Sequence, residues 1–302
     1  MAVFSRYAGQ NDRLLVAKSS APCWYRIMAR PRRFFGLGLA LFAMGLLALL
    51  ASALYRAEPS YGGKRLSRWA HEYGTNMWSN PNKAQTAIRH IGTNGVPFLL
   101  QAIAVEPSVT RKKLREMIPQ KWHARLHLQD KSGDIRRMGA HGIAALGSNT
   151  PPDVIPKLMT MVTNHPDEDG RYIAAFALRT LGPTARPAIP FFVECLKTNN
   201  DKFIRDEAAI ALGLVESQPE VTVPALIEFL KFALTQGPST FEARDTIDSL
   251  RRIGTNADAA LPLLRSLHDH KDEAIRTSAR AAVQVINKSG ENMRAPEHGR
   301  IP

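Results

Sequence analysis

The amino-acid sequence predicts an all-α fold, a solenoid of antiparallel helix pairs that follows an N-terminal transmembrane helix. One observation is a pattern that recurs five times: an apolar helical segment ends at a glycine, and a proline then opens a second apolar segment. Another is an uncharged run of 22 residues at 34–55, which is long enough to cross a bilayer. Sustained alternation of apolar and polar residues, the pattern typical of strands, is nearly absent.

The chain opens with a basic segment, residues 1–33, that we expect to be a cytoplasmic tail. Residues 1–56 carry eight Lys or Arg against one acid, and Arg30, Arg32 and Arg33 directly precede the apolar run. Because clustered basic residues favour the cytoplasmic side of a span, the sequence predicts a single-pass protein of the cell membrane. Its repeats are then expected on the extracytoplasmic side.

A cleaved signal peptide is the alternative interpretation of residues 34–55. Ala51-Ser52-Ala53 fits a small-x-small cleavage site, and cleavage near Ala53 would give a secreted protein. Met28 offers a second possible start that still leaves a basic stretch before the apolar run. The run exceeds the usual signal-peptide core of about 7–15 residues, which favours the anchor.

Residues 56–79 are predicted to form a linker and a capping helix. The linker sequence RAEPSYGG at 56–63 contains one proline and two glycines, as is typical of a spacer. The segment Leu66–Gly74 reads as a short amphipathic helix with Leu66, Trp69 and Ala70 on one side. We expect this side to cover the open end of the first repeat.

The solenoid is predicted to cover residues 80–288. A glycine just past a helix supplies a left-handed cap, and a proline fits the first turn of the next helix, where its missing N–H is not needed. No single pair can bury its apolar face, so neighbouring pairs must stack. The glycines are Gly92, Gly147, Gly182, Gly213 and Gly254, and the prolines are Pro97, Pro156, Pro190, Pro224 and Pro262.

The third and last repeats predict specific core positions. In the third repeat, Ile173, Ala177 and Leu181 share one helical face, and Cys195 is expected to be a buried thiol. A final unpaired helix is expected at 273–286, before a disordered tail at 289–302. The predicted core residues of this final helix are Ala274, Ala281, Val283 and Ile286.

These features resemble HEAT repeats. The resemblance rests on the Gly-x-x-Ala/Gly-x-x-x-Pro hinge, on acid- and Arg-rich helix starts such as Asp201–Asp206, and on glycine spacings of 31 to 41 residues. The stretch YGGKRLSRW at 61–69, followed by a repeat containing IGTN, is similar to bacterial membrane-anchored HEAT-repeat proteins of unassigned function. The resemblance covers about residues 80–286 and implies an architecture and a packing role for Trp122, but no activity.

A basic insert at 104–133 separates the first two repeats. Residues 111–125 contribute six cations and one acid, which is +5 of the +6 net charge of residues 57–302. This segment is either a solvated connecting helix or a contact for anionic lipid, phosphate or nucleic acid, although the predicted location disfavours nucleic acid. The candidate contact residues are Arg111, Lys112, Lys113, Arg115, Lys121 and Arg125.

No residue pattern points to catalysis. His123 and His127 have the i,i+4 spacing of a metal pair, but the stretch reads HARLH and lacks the glutamate of HExxH. The acidic residues at 167–170 lack the alternating oxygen ligands of a calcium loop. Phosphate-binding, dinucleotide-binding and nucleophile-elbow motifs are also missing from the sequence. We therefore expect no enzyme, no cofactor and no bound metal.

Stacked helical repeats present long surfaces that mostly bind other proteins. The leading hypothesis is a non-enzymatic, membrane-tethered scaffold that binds a protein or peptide partner through the solenoid surface. The alternative hypothesis is a binder of anionic lipid or nucleic acid through residues 111–125. The sequence carries no signal of oligomeric state.

Overall fold

The computed structural model describes residues 42–45, 58–76, 82–123, 125–126, 128–215, 217–235 and 240–294, without the side chains of Arg111, Thr240 and residues 288–294. The chain divides into two units, Met1–Ala57 and Glu58–Pro302. In the first unit the described residues, 42–45, are helical. The rest of the predicted transmembrane segment 34–55, together with the tail 1–33, lies outside the described residues. Among the helices that are described, none is both long and apolar enough to span a bilayer.

The second unit is built almost entirely from helices. Short 3-10 turns at Gly92–Gly95, Gly147–Asn149, Gly182–Ala188 and Gly254–Ala260 connect the two helices of a pair. The helices in chain order are α1 (Leu66–Asn76), α2 (Asn82–Ile91), α3 (Val96–Ile103), α4 (Val109–Met117), α5 (Ser132–Leu146), α6 (Val154–Asn164), α7 (Glu168–Thr180), α8 (Ile189–Thr198), α9 (Lys202–Leu214), α10 (Pro219–Thr235), α11 (Thr240–Ile253), α12 (Leu261–Ser266) and α13 (Glu273–Arg294).

A small hairpin precedes α1 where the sequence predicts a spacer. Strand β1 (Ser60–Tyr61) pairs antiparallel with β2 (Lys64–Arg65), and Gly62 and Gly63 form the turn with φ of 57° and 75°. Two residues with positive φ suit the right-handed twist of a hairpin, and glycine adopts them without steric cost. The Gly-Gly pair is therefore a turn signal, and reading it as linker composition missed the hairpin.

The helices stack in two layers, as the repeat pattern predicts. Helices α5, α7, α9, α11 and α13 contact one another in succession, and the second helices of the pairs lie on the other side of this row. Helix α1 packs on α2 and α5 through the buried side chains of Leu66, Trp69, Ala70 and Tyr73, three of which the sequence predicts. The stack is thus a helical solenoid capped at its N-terminal end.

One continuous hydrophobic core runs through the second unit, from Leu66 to Ile286. The predicted core residues Ile173, Ala177 and Leu181 are each at most 3 % exposed, and Cys195 is buried. A fragment that begins at Glu58 therefore keeps every residue of this core.

Ion pairs join neighbouring helices of the first layer. Arg136 is 3 % exposed, and its Nη2 atom lies 2.6 Å from Asp169 Oδ2. The Asp169 side chain is 40 % exposed, so this pair is only half-buried. Together with two similar pairs it helps to determine which helix lies beside which. The pairs are Arg136–Asp169 between α5 and α7, Arg179–Glu207 between α7 and α9, and Arg205–Glu242 between α9 and α11.

The predicted glycine caps are present in four of five repeats. Gly92, Gly147, Gly182 and Gly254 follow helices and have φ between 51° and 69°. The prediction is wrong for Gly213, which lies inside α9. A Cβ atom there would stand 2.6 Å from Ser249 Cβ of α11, so this glycine allows two helices to approach closely.

The predicted proline starts are confirmed for most of the second helices. Pro97, Pro190 and Pro262 lie in the first two positions of α3, α8 and α12, and Pro156 is the third residue of α6. The prediction is wrong for Pro224, which lies inside α10. This helix begins five residues earlier, at Pro219. That earlier proline already provides the fixed φ of a helix start.

The last helix differs from its prediction in length and in face. It continues to Arg294, past the predicted solenoid end at 288, and residues 295–302 lie outside the described residues. Val283 and Ile286 are buried as predicted, but Ala274 is exposed and Ala281 is only half-buried. The buried stripe is Ile275, Ala279, Ala282, Val283 and Ile286, whose spacing follows one helical face.

Candidate functional site

A wide cleft opens between α6 and α8. It has a volume of about 1140 Å³, and the first turns of α7 and α9 form its floor. We refer to it as the α6–α8 cleft. Its lining includes Val162, Glu168, Tyr172, Phe191, Glu194, Cys195 and Phe203.

Short polar loops hold the floor of this cleft in place. Asp201 caps α9, because its Oδ1 accepts a hydrogen bond from the Phe203 N–H at 2.9 Å. The Asn199 side chain accepts from the Asp201 N–H at 2.9 Å, and Arg205 donates to the Asn199 carbonyl at 3.0 Å. Arg171 makes the equivalent bond to the carbonyl six residues before it, at 3.0 Å. The loops are therefore fixed by their own side chains.

Aromatic side chains line the cleft at its exposed edge. Phe203 is 58 % exposed although it is large and apolar. The Tyr172 and Phe203 ring centroids are 6.1 Å apart and the rings meet edge to face, while Phe191 packs partly against the core. Two rings held in fixed positions beside open space form an apolar platform for a side chain of another molecule.

The charge of the α6–α8 cleft is negative. Four carboxylates line it against two cations, Arg171 and Lys202. One carboxylate, Asp169, is neutralised by Arg136, whereas Glu168 is largely exposed and lies 3.8 Å from Arg171. The remaining acids give the cleft a preference for cationic groups.

The Cys195 thiol in the cleft is a poor nucleophile at neutral pH. Burial, aided by the nearby Glu194 carboxylate, raises the pKa of Cys195 to about 11. The nucleophile of cysteine chemistry is the thiolate, and at neutral pH this side chain is a neutral thiol. Cys195 therefore serves as an apolar wall.

A second cleft of about 660 Å³ lies between α8 and α10, and we call it the α8–α10 cleft. It shares the loop residues Thr198, Asn199 and Asn200 with the first cleft. Val221 and Phe232, each 41 % exposed, supply its apolar surface. The two clefts thus flank α8 and meet at its C-terminal end.

The predicted basic residues lie on a separate surface, around α4. Apart from Arg111, whose burial is not described, every residue of this helix is exposed, including Lys112, Lys113 and Arg115. Lys121 and Arg125 are exposed in the turn that follows. Arg111 lies in α4, but its side chain is outside the described part of the chain. Within the described residues none of the five described cations of the set forms an ion pair.

Trp122 lies among these cations and is not packed into the core. It is 40 % exposed, and the Arg125 guanidinium lies 5.4 Å from its ring centroid. The packing role that the resemblance implies for Trp122 is therefore corrected. In this segment Leu128 is buried, whereas Trp122 remains at the surface.

The histidine pair of the sequence analysis is only partly described. The His123 Nε2 atom lies 2.7 Å from the Ile118 carbonyl oxygen and 3.1 Å from that of Arg115, so this side chain braces the turn after α4. His127 lies outside the described residues. Among those described, no group of three His, Cys, Asp or Glu side chains has the geometry of a metal site.

Sequence reasoning missed both clefts. One local signal was available, because Phe203 stands in a polar first turn where a buried face is not expected. The cleft itself needs residues from four helices, and their approach has no signal in any one segment.

Residues 155–233 match the family model of HEAT repeats. This match supports the HEAT-repeat character of the solenoid, and it spans the residues that line both clefts. No curated protein matches the chain.

Proposed function

We propose that this protein is a non-enzymatic scaffold that binds an extended protein or peptide segment in the α6–α8 cleft. The observation that carries the proposal is the exposed Phe203 ring, fixed against Tyr172 above an acidic floor. The clefts continue into one another around the end of α8, so a segment of several residues can follow them.

The chemistry of the cleft defines the partner. An aromatic or aliphatic side chain would contact Phe203 and Tyr172, and a nearby Lys or Arg would face Glu194 and Glu168. The exposed Asn200 side chain at the junction of the clefts offers both donors and an acceptor to a peptide backbone. A partner segment with one large apolar residue close to a basic residue fits these features best.

Rigidity favours binding over catalysis. The capped start of α9 and the arginine bonds to loop carbonyls hold the cleft in one shape, which lowers the entropic cost of binding. The neutral Cys195 thiol offers no nucleophile, and the acids of the floor are engaged with caps and cations or exposed.

The scaffold is further proposed to be tethered to the cell membrane by residues 34–55, with its repeats outside the cytoplasm. The uncharged run of 22 residues and the preceding arginines support this part of the proposal. The outcome of cleavage near Ala53, a secreted scaffold, would keep the same binding cleft.

Selection from a random peptide library displayed on phage tests the binding proposal. We expect the full chain in detergent to enrich peptides that combine an aromatic or aliphatic residue with Lys or Arg. Phe203→Ala should weaken an enriched peptide by at least about tenfold, as loss of a buried aromatic anchor does. Glu194→Gln should weaken it less and should reduce its salt dependence.

Matched controls separate the cleft from general surface effects. Phe241 is 63 % exposed in the first turn of α11 with Arg244 beside its ring, much like Phe203 with Lys202, but it lines neither cleft. Phe241→Ala should leave binding unchanged. Equal losses for Phe203→Ala and Phe241→Ala, or no enrichment at all, would refute the proposed site.

A further inference from the structure

We infer that α4 and the turn after it, which the structure describes at 109–123 and 125–126, form an interfacial element that lies on the surface of an anionic lipid bilayer. We call residues 109–126 the basic element. This inference concerns a surface separate from the two clefts, and it does not depend on the proposed peptide binding.

The basic element exposes apolar side chains that the solenoid does not cover. Val109 is 67 % exposed and Met117 is 81 % exposed, and none of the α4 side chains that the structure describes is buried. Leu114, Trp122 and Leu126 are each at least 40 % exposed. Five large apolar side chains within eighteen residues exceed the scattered exposure that is ordinary for a protein surface.

These side chains are sorted by face. At about 100° per residue, Val109, Met117 and Leu114 fall within an arc of about 140° on α4. Lys112 and Arg115 point away from this arc, and Lys113 lies within it. A lysine in that position can extend its ammonium to the lipid headgroups while its methylenes stay among the apolar chains. Thr110 also falls within the arc, and Glu116 lies about 20° outside it. The helix is therefore amphipathic, with an exposed face that is mostly apolar.

The positive charge of the basic element favours an anionic lipid surface as its partner. Residues 111–125 carry a net charge of +5, and the described cations among them form no ion pair within the described part of the chain. A surface that offers anions beside an apolar layer satisfies both the cations and the apolar arc. Trp122 beside Arg125 adds an amphipathic ring of the kind that settles at the headgroup level.

The apolar residues favour lipid over nucleic acid. Single-stranded nucleic acid is bound through stacking on aromatic rings. The described part of the basic element offers one large aromatic side chain, Trp122, and one imidazole, His123, whose Nε2 atom is engaged by backbone carbonyls. Val109, Leu114 and Met117 offer no stacking surface, but they suit insertion among acyl chains. His123 braces the turn through the carbonyls of Arg115 and Ile118, which keeps α4 and Trp122 in one ordered element.

Co-sedimentation with vesicles tests the inference. The probe is a vesicle of phosphatidylcholine and phosphatidylserine in equal amounts, compared with phosphatidylcholine alone. The protein is the fragment 58–302, which keeps the whole hydrophobic core and lacks the apolar run 34–55. We expect binding to the anionic vesicles, little binding to the neutral ones, and loss of binding in high salt.

Two variants separate charge from apolar contact. Replacing Lys112, Lys113 and Arg115 with Gln should lower partitioning about a hundredfold, since each such charge contributes about fivefold. The double change Leu114→Ser and Met117→Ser leaves the charge intact and should lower partitioning by at least about tenfold. All five side chains are exposed, so melting temperatures should not change.

A charge-matched control replaces Lys83, Lys197 and Lys271 with Gln, all exposed elsewhere on the solenoid. This control should bind like the parent. Equal loss in the control would reduce the effect to net charge and overturn the inference. So would a serine variant that binds like the parent, or a fragment that binds a DNA oligonucleotide but not the anionic vesicles.

If the fragment does not fold, the full chain in nanodiscs provides the second measurement. Trypsin cleaves after Lys112, Lys113 and Arg115, and these sites should be protected in anionic nanodiscs relative to neutral ones. Cleavage after the exposed Lys271 should be the same in both. Equal cleavage at the α4 sites in both kinds of disc would overturn the inference.

Discussion

The carboxyl group of Asp206 in α9 has an incomplete set of hydrogen bonds within the described residues. Its Oδ1 atom is buried and accepts no hydrogen bond within the described residues. Burial, followed by the charges of Asp245, Glu207 and Glu242, raises the pKa of Asp206 to about 7, and Arg179 offsets only part of this. The folded protein therefore binds a proton at Asp206 more tightly than the unfolded chain does, whose aspartates titrate near pH 4.

We predict that Asp206→Asn stabilises the protein at pH 8 and has little effect near pH 4. Because the pKa of Asp206 is raised in the folded state, the contribution of this carboxyl to the free energy of unfolding is fully present below about pH 4. It is lost as the pH rises toward 7. The amide removes this loss, so its melting temperature should exceed that of the parent by at least about 3 °C at pH 8. Thermal melts at both pH values check this, with the exposed Asp269→Asn as control. A difference that does not grow with pH contradicts the assignment.

Helix packing decides the role of Gly213 at the scale of elements. From the sequence, a glycine at this spacing reads as one more helix cap, and Gly92, Gly147, Gly182 and Gly254 do take positive φ. In the structure, α9 continues through Gly213, and Gln218 takes the positive φ of 52° before α10 instead. The spacing alone does not distinguish a cap from a close contact, because the contact is made with Ser249, a residue 36 positions away.

We predict that Gly213→Ala destabilises the protein by about 1–3 kcal/mol, as overpacking does. Helix propensity alone predicts the opposite sign, a gain of up to about 1 kcal/mol for Ala over Gly. The new Cβ would meet Ser249 backbone and Cβ atoms of α11 at 2.7 and 2.6 Å, so the helices must separate. Urea denaturation measures the difference. Gly133→Ala in α5 should cost clearly less, because the nearest atom would be the end of the Asp169 side chain at 3.3 Å and no backbone atom of another helix.

Periodicity predicts the elements well and their lateral contacts poorly. The apolar stripe of the third repeat and the proline-opened helices follow from local spacing, since each helix carries its own 3.6-residue pattern. The ion pairs that join neighbouring helices link residues 28 to 37 positions apart, so no local pattern marks them. The α6–α8 cleft has the same origin, because four helices contribute its walls. The buried face of the last helix differs from the prediction by one residue, with Ile275 buried in place of Ala274. Alanine is small enough to occur on the buried or the exposed face of a helix, so it does not mark the face reliably.

Across the solenoid, the two candidate surfaces have opposite character. The α6–α8 cleft is acidic and aromatic, whereas the basic element carries most of the net positive charge of residues 57–302. The two proposed ligands, a basic peptide segment and anionic lipid, therefore differ in charge and would not compete for one surface. The overall charge of +13 would suggest a nucleic-acid binder only if it were spread over the repeats, and it is not.

The whole-molecule prediction concerns topology. We expect a phosphatase reporter that is active only outside the cytoplasm to be active when fused after Pro302, because Arg30, Arg32 and Arg33 should hold the N-terminal side in the cytoplasm. Deleting residues 34–55 should abolish this activity, since the remaining chain has no comparable apolar run. The mass of the product then distinguishes the two interpretations of the run. An intact membrane-bound chain indicates an anchor, and a soluble product beginning near Ala53 indicates cleavage. A reporter that is active only in its cytoplasmic form would contradict both, and would place the peptide cleft and the basic element in the cytoplasm.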